Sequence, residues 1–184
     1  MSQWEEFQKI NPVAPSLVRA SFEVTKYMPA ERAAIGDAWL RNPRKSLLLI
    51  GPTGRGKTYF MHALMRGLLQ KYRLGALRFM KSKQMDDRMY SDFNQYGTAS
   101  YFIEQLKEVP FLFIDDLGNE RSGERTERDY YEVIDHRIEW EKPMVISTNA
   151  EDKDILNKFG ARIHSRLKIA SRVPFVGPDI RESL

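Results

Sequence analysis

The stretch Gly51-Pro52-Thr53-Gly54-Arg55-Gly56-Lys57-Thr58 carries a complete set of groups for binding phosphate. Its residues satisfy G-x-x-x-x-G-K-[ST], the spacing of a phosphate-binding loop. Glycines let the backbone curl so that successive N–H groups point at an anion. Lys57 brings a point charge to the β- and γ-phosphates, and the Thr58 hydroxyl suits Mg²⁺. The loop follows a nearly all-apolar run, Ser46–Ile50. It precedes Phe60, Ala63, Leu64, Gly67 and Leu68, which recur at helical spacing. Strand, loop and helix in that order add the positive end of the helix to the site. A chance glycine turn would not come with both flanks. The expected ligand is a nucleotide with Mg²⁺.

A second constellation closes Phe111-Leu112-Phe113-Ile114-Asp115-Asp116. Two adjacent carboxylates repel one another unless a cation lies between or beside them. Asp115 is placed to hold Mg²⁺ together with Thr58, and Asp116 to orient or deprotonate an attacking water. Glu120, one methylene longer, is the other candidate for the water. A plain Asp-Asp-Leu-Gly turn has the same composition. The phosphate loop is what favours the metal reading.

Two further signals are ambiguous on spacing alone. Met144-Val145-Ile146 runs into Ser147-Thr148-Asn149, where Asn149 suits either a γ-phosphate contact or the cap of a following helix. Spacing favours the cap. Arg162 and Arg166 lie on one helix face, either as a solvated basic surface or as groups that reach a neighbouring subunit's nucleotide. Unaided chemistry favours the solvated surface.

These residues need elements to position them. Helices are expected over Ala30–Arg41, after the loop, near 83–94, over 99–108, from Arg125 to about Trp140, and over 151–158 and 161–168. Strands are expected at Ser46–Ile50, Ala76–Met80, Val109–Asp115, Met144–Ser147 and Arg172–Val176. Their alternation implies a parallel sheet with helices on both faces. Residues 1–20 read as an N-terminal arm. Trp4, Phe7 and Ile10 form a short stripe there, before Pro12 and Pro15 stop any helix. A frayed end is the plain reading of that arm, and a partner-docking peptide the sharper one. Residues 21–184 form the main domain.

Composition narrows the classes. The 184 residues hold 29 Lys+Arg and 25 Asp+Glu, a net +4, which permits nucleic-acid binding without requiring it. With no Cys, thiolate metal sites, disulfides and a Cys nucleophile are excluded. The three His lack metal-ligand spacing. Apolar runs are too short to span a bilayer, and no export signal is visible, so a cytoplasmic location is expected.

Taken together, the motifs resemble an AAA+ ATPase of the bacterial helicase-loader group (DnaC/DnaI type), which includes the IstB-type transposition helpers. The resemblance runs from about Ser21 to Arg181. It rests on Ser46–Thr58, Phe113–Glu120, Ile146–Asn149 and Arg162–Leu167. It implies a three-layer α/β P-loop AAA+ fold with a five-stranded parallel sheet in order 5-1-4-3-2 and no large lid. It implies ATP at Gly51–Thr58, Mg²⁺ at Thr58 and Asp115, and Asn149 as sensor of the γ-phosphate. Arg166 matches a trans-acting arginine finger, with Arg162 supporting it, so head-to-tail self-assembly follows. Gly177-Pro-Asp-Ile-Arg181 is similar to a terminal element whose arginine contacts nucleotide in cis, although Asp179 stands where that element has Ser.

The resemblance further implies a replicative DNA helicase and single-stranded DNA as partners. Lys81, Lys83 and Arg88, interleaved with Tyr90, Phe93, Tyr96 and Tyr101, are the candidate DNA contacts. Some of these aromatics are expected in the core. Residues 115–141, with ten acids and four bases, are an unfavourable DNA face. The expected activity is DNA-stimulated ATP hydrolysis in helicase loading. The alternatives are an IstB-like transposition helper, a non-enzymatic helicase-binding adaptor or inhibitor, and a small nucleotide kinase. The Ser-Thr-Asn and Ser-Arg-Leu segments do not suit the kinase.

Overall fold

A computed structural model describes residues 2–11, 14–23, 28–177 and 179. Five strands form one sheet: β1 (Leu47–Ile50), β2 (Leu77–Lys81), β3 (Phe111–Leu117), β4 (Met144–Thr148) and β5 (Ser171–Pro174). They lie in the order β2-β3-β4-β1-β5, and every pairing is parallel. This is the expected 5-1-4-3-2 order read from the other edge.

Alternation along the strands explains the layers. Leu47 and Leu49 of β1, Phe111 and Phe113 of β3 and Val145 of β4 enter one apolar cluster. Leu48, Leu112, Ile114, Met144 and Ile146 enter the other. Successive side chains point to opposite faces, so a sheet covered on both sides must be apolar at every position. The first face is covered by α1 (Gln3–Ile10), α3 (Ala30–Arg41) and α4 (Lys57–Leu68). The second is covered by α5 (Ser82–Tyr96), α6 (Ser100–Glu108), α7 (Glu124–Glu139) and α8 (Asp152–Leu167). The fold is therefore the three-layer α/β P-loop architecture. Among the described residues no helix is long and apolar enough to cross a membrane.

The N-terminal segment differs from the frayed arm expected of it. α1 packs Trp4 and Phe7 into the core of the first layer, and Ile10 faces solvent. The indole of Trp4 donates to Val18 O at 2.9 Å, and Gln3 Nε2 donates to Leu69 O at 3.0 Å. Burial of two large aromatic rings, stacked at 5.4 Å, outweighs the entropy that usually frees a terminus. Pro15 does not end a helix but begins one, the short α2 (Pro15–Val18), since proline is tolerated at a first helical position.

α8 is two helices joined at Gly160, whose φ of +73° suits a residue without a side chain. This break falls between the two segments expected from sequence. On the second face, Tyr90, Phe93, Tyr96 and Tyr101 are all exposed, a correction to the expectation that some join the core. Met85 and Met89 of α5 and Phe102, Ile103 and Leu106 of α6 fill that layer instead. Tyr90 and Phe93 are shielded by the Arg125 guanidinium, 4.6 and 4.5 Å from their ring centres.

Candidate functional site

The C-terminal ends of β1, β3 and β4 meet the start of α4, and the polar residues of the chain's motifs converge there. Gly56, at φ +89°, is the last loop residue before α4. A left-handed conformation there lets the loop turn sharply into the helix. The same turn brings Lys57 inward, where it is buried. Its Nζ donates to Gly51 O at 2.5 Å, Pro52 O at 2.8 Å and Asn149 Oδ1 at 2.6 Å. The ammonium is thus held against the loop by carbonyl oxygens from the segment it closes.

The Thr58 hydroxyl donates to Asp115, 3.2 Å from Oδ1 and 3.3 Å from Oδ2. Ser147 Oγ donates to Asp115 Oδ1 at 2.5 Å and accepts from the Asp116 N–H at 2.9 Å. Burial pushes the Asp115 carboxyl above the usual carboxylate range. The charge of Asp116 adds to this, and hydrogen bonds from Ser147 and Thr58 oppose it. A buried carboxylate beside a hydroxyl and a second carboxylate is the donor set of a hard, oxygen-liganded cation. The residues present therefore fit Mg²⁺.

The register between β3 and β4 shifts between Ile114 and Leu117, and Asp116 sits within that shift at φ +60°. Without the shift, Asp115 and Asp116 would point to opposite faces of the sheet. The irregularity leaves Asp115 buried on Thr58 and Asp116 half-buried beside Asn149, whose Nδ2 donates to Asp116 Oδ1 at 3.2 Å. Asn149 is thereby linked to Lys57 by its oxygen and to Asp116 by its nitrogen. It does not cap α8. The helix follows Glu151, whose N–H donates to Asp154.

The other candidate for the water, Glu120, is buried and committed elsewhere. It accepts from the Ser82 hydroxyl and from Gly118 N at 3.0 Å, and it pairs with Lys158 Nζ at 3.2 Å. Arg55 lends its carbonyl to Arg32 Nη1 at 3.2 Å, while Arg32 Nη2 donates to Val176 O at 2.8 Å. One arginine of α3 thus joins the phosphate loop to the segment after β5. Asp179 lies against Gly54 so closely that a side chain at position 54 would collide with its carboxylate. Arg181 lies outside the described residues.

Arg162 and Arg166 do not reach this constellation within the chain. Arg162 stacks on Tyr131 of α7, and Arg166 pairs with Asp135 of α7. Of the DNA candidates, Lys81 ends β2 opposite Asp115. Lys83 and Arg88 are exposed on α5 and pair with Asp87 at 2.6 Å and Asp92 at 2.8 Å. Sequence reading missed Ser147 as the residue that joins the two acids. Its only signal is a hydroxyl beside apolar residues in a strand buried on both faces.

A parallel five-stranded sheet with a phosphate loop after β1 and acids at the end of β3 defines a P-loop ATPase fold of the AAA+ class. Residues 28–173 match the family described as the bacterial DnaA ATPase domain, and the chain belongs to that family. Among curated proteins, the chromosomal replication initiator DnaA of Lachnoclostridium phytofermentans is 26% identical over 147 residues, 79% of this chain. This chain spans about a third of that relative's length, 32%. A crystal structure of the DnaC helicase loader aligns with a TM-score of 0.74 at 19% identity, over 89% of this chain and 100% of that one. DnaA bound to AMPPCP and single-stranded DNA aligns with a TM-score of 0.72 at 20% identity, over 90% of this chain and 51% of that one. The likeness to these solved structures is one of fold.

Proposed function

We propose that this chain is an ATP- and Mg²⁺-dependent ATPase of DNA replication that assists loading of a replicative helicase. The observation that carries the ATPase reading is the convergence of Lys57, Thr58, Asp115, Asp116 and Asn149 at one end of the sheet. In this reading the phosphate loop and Lys57 hold the phosphates. Thr58 and Asp115 hold Mg²⁺, which supplies charge neutralisation on the phosphoryl oxygens. Asp116 orients the attacking water, because Glu120 is engaged by Ser82, Gly118 and Lys158. Asn149, tied to both Lys57 and Asp116, links the γ-phosphate end of the site to the water. Arg166 completes the site of a neighbouring copy.

The loader reading draws support from the motif set and from the DnaC loader, whose whole chain shares this fold. Single-stranded DNA would be bound by Lys81, Lys83 and Arg88, exchanging Asp87 and Asp92 for phosphates. The exposed Tyr90, Phe93, Tyr96 and Tyr101 offer stacking surfaces beside them. The family match favours a second reading, an ATPase that acts with the origin initiator rather than with the helicase. Co-purification separates the two. The loader reading expects the cognate replicative helicase to be retained by this chain in ATP and lost with Lys57→Ala. Retention of the initiator alone would overturn it in favour of the second.

A further inference from the structure

α7 and the second half of α8 cross where two arginines meet one aromatic ring and one carboxylate. The guanidinium carbon of Arg162 lies 3.9 Å from the centre of the Tyr131 ring. Arg166 Nε lies 2.5 Å from Asp135 Oδ1, and the Tyr131 side chain interacts electrostatically with the same guanidinium, raising its pKa. Tyr131 and Asp135 are one helical turn apart, as are Arg162 and Arg166, so the two pairs face each other turn for turn. The match depends on Gly160. Its backbone breaks α8 just before Arg162, and a side chain there would collide with the Glu127 carboxylate of α7.

An exposed ion pair alone is weak and carries no function. This cluster has two features that such a pair lacks. It holds two guanidinium groups one helical turn apart against a single carboxylate, Asp135, and one aromatic ring, Tyr131. Asp135 also engages Arg166 through Nε, the guanidinium nitrogen nearest the chain, which orients the group from behind. The Arg166 side chain remains 41% exposed. The outer edge of a guanidinium is the edge that recognises phosphate oxygens in a fork.

We propose that Tyr131 and Asp135 are positioning residues, which hold Arg166 and Arg162 aimed at the phosphates of nucleotide bound by a second copy of this chain. The inference rests on the reading of Arg166 as a trans-acting group. Arginine has many rotatable bonds, and a group that acts on developing charge is more effective when its orientation is fixed before reaction. Tyr131 supplies a flat surface for the Arg162 guanidinium, and Asp135 fixes the orientation of Arg166.

The test compares ATP turnover of Arg166→Ala, Asp135→Asn and Tyr131→Phe at a chain concentration where wild-type turnover is maximal. Arg166→Ala should lose the assembly-dependent turnover. Asp135→Asn should lower kcat about tenfold with KM for ATP unchanged. Mixing excludes a merely structural defect. Lys57→Ala copies have no working site but intact arginines, so adding them to Asp135→Asn copies should restore turnover at the sites of the latter. Failure of that rescue, or wild-type turnover in Asp135→Asn while Arg166→Ala is impaired, overturns the positioning role alone. Unchanged turnover in Arg166→Ala overturns the trans-acting reading and the positioning role with it. If turnover is too slow to compare, self-association with a non-hydrolysable ATP analogue should weaken in the same order. No analogue-dependent association of the wild type would overturn both.

Discussion

Lys57 is buried and donates to Gly51 O, Pro52 O and Asn149 Oδ1, so its charge is already directed at the loop it closes. Replacing it removes the cation that a triphosphate needs and leaves the Gly51 and Pro52 carbonyls facing the anion. Lys57→Ala should therefore weaken ATP binding about 100-fold, as read by fluorescent-nucleotide titration. Asp116→Asn should bind ATP about as well as wild type and fail to turn it over. Glu120→Gln should instead lower the melting temperature, because Glu120 joins the 118–120 loop to Ser82 and Lys158. Full loss of turnover in a well-folded Glu120→Gln variant would move the water-orienting role to that residue. His62 adds a pH dependence of its own to the stability. His62 of α4 is buried against Trp4 and Phe79, and among the described residues its Nδ1 has no hydrogen-bond partner. Burial pushes its pKa down from 6.5 to about 4. The unfolded chain therefore takes up the proton first as the medium is acidified. Stability from this group is complete above pH 6.5 and falls as pH drops towards 4, by about 3 kcal/mol in total. Urea unfolding across that range should show the loss, and His62→Leu should flatten it.

At the scale of the element, the β3–β4 irregularity and Arg137 decide how much of the site was legible beforehand. The strands, the loop and the helix after it were legible because each is written locally, as an apolar run, a glycine spacing or a helical stripe. Alternation gave the parallel sheet covered on both faces, and the strand order came from the family resemblance alone. The roles expected of Asp115 and Asp116 were read from the motif, but the geometry that sets the two acids apart was not legible. It arises where β3 changes register against β4, and Ser147, which joins the two acids, is distant in sequence. Arg137 was equally invisible, since nothing in α7's charge pattern distinguishes it. It is fully buried and donates to the carbonyls of Leu106, Lys107, Val109, Pro110 and Pro143. These oxygens end α6, lead into β3 and precede β4, so one guanidinium holds together the segments that launch two site-bearing strands. Burial pushes its pKa down to about 9, still above neutral pH, and the C-terminal end of α6 supplies oxygens for its charge. Arg137→Met leaves those carbonyls without a donor and should cost about 3–5 kcal/mol, read from the urea midpoint. An unchanged midpoint would show that water replaces the guanidinium without penalty. The aromatics of α5 erred in the other direction. Composition suggested core, but Met85 and Met89 fill that face and leave Tyr90 and Phe93 to stack with arginine outside it.

At the scale of the whole molecule, the net +4 conceals a division of charge and of chemistry. Acids close β3 and continue through α7, while Arg162 and Arg166 stand on α8 against α7, apart from the chain's own phosphate loop. Within one chain, Arg162 and Arg166 are held by α7 and not by the residues around the phosphate loop. In the proposed reading the phosphate loop and the arginine pair are each completed by another copy, so assembly and turnover should be coupled. Measuring ATP turnover per chain as chain concentration is raised, with and without single-stranded DNA, tests this most directly. The account predicts that turnover per chain rises with concentration and that Arg166→Ala abolishes the rise while still binding ATP. A rate per chain that is independent of concentration, or a rise that survives in Arg166→Ala, would contradict it.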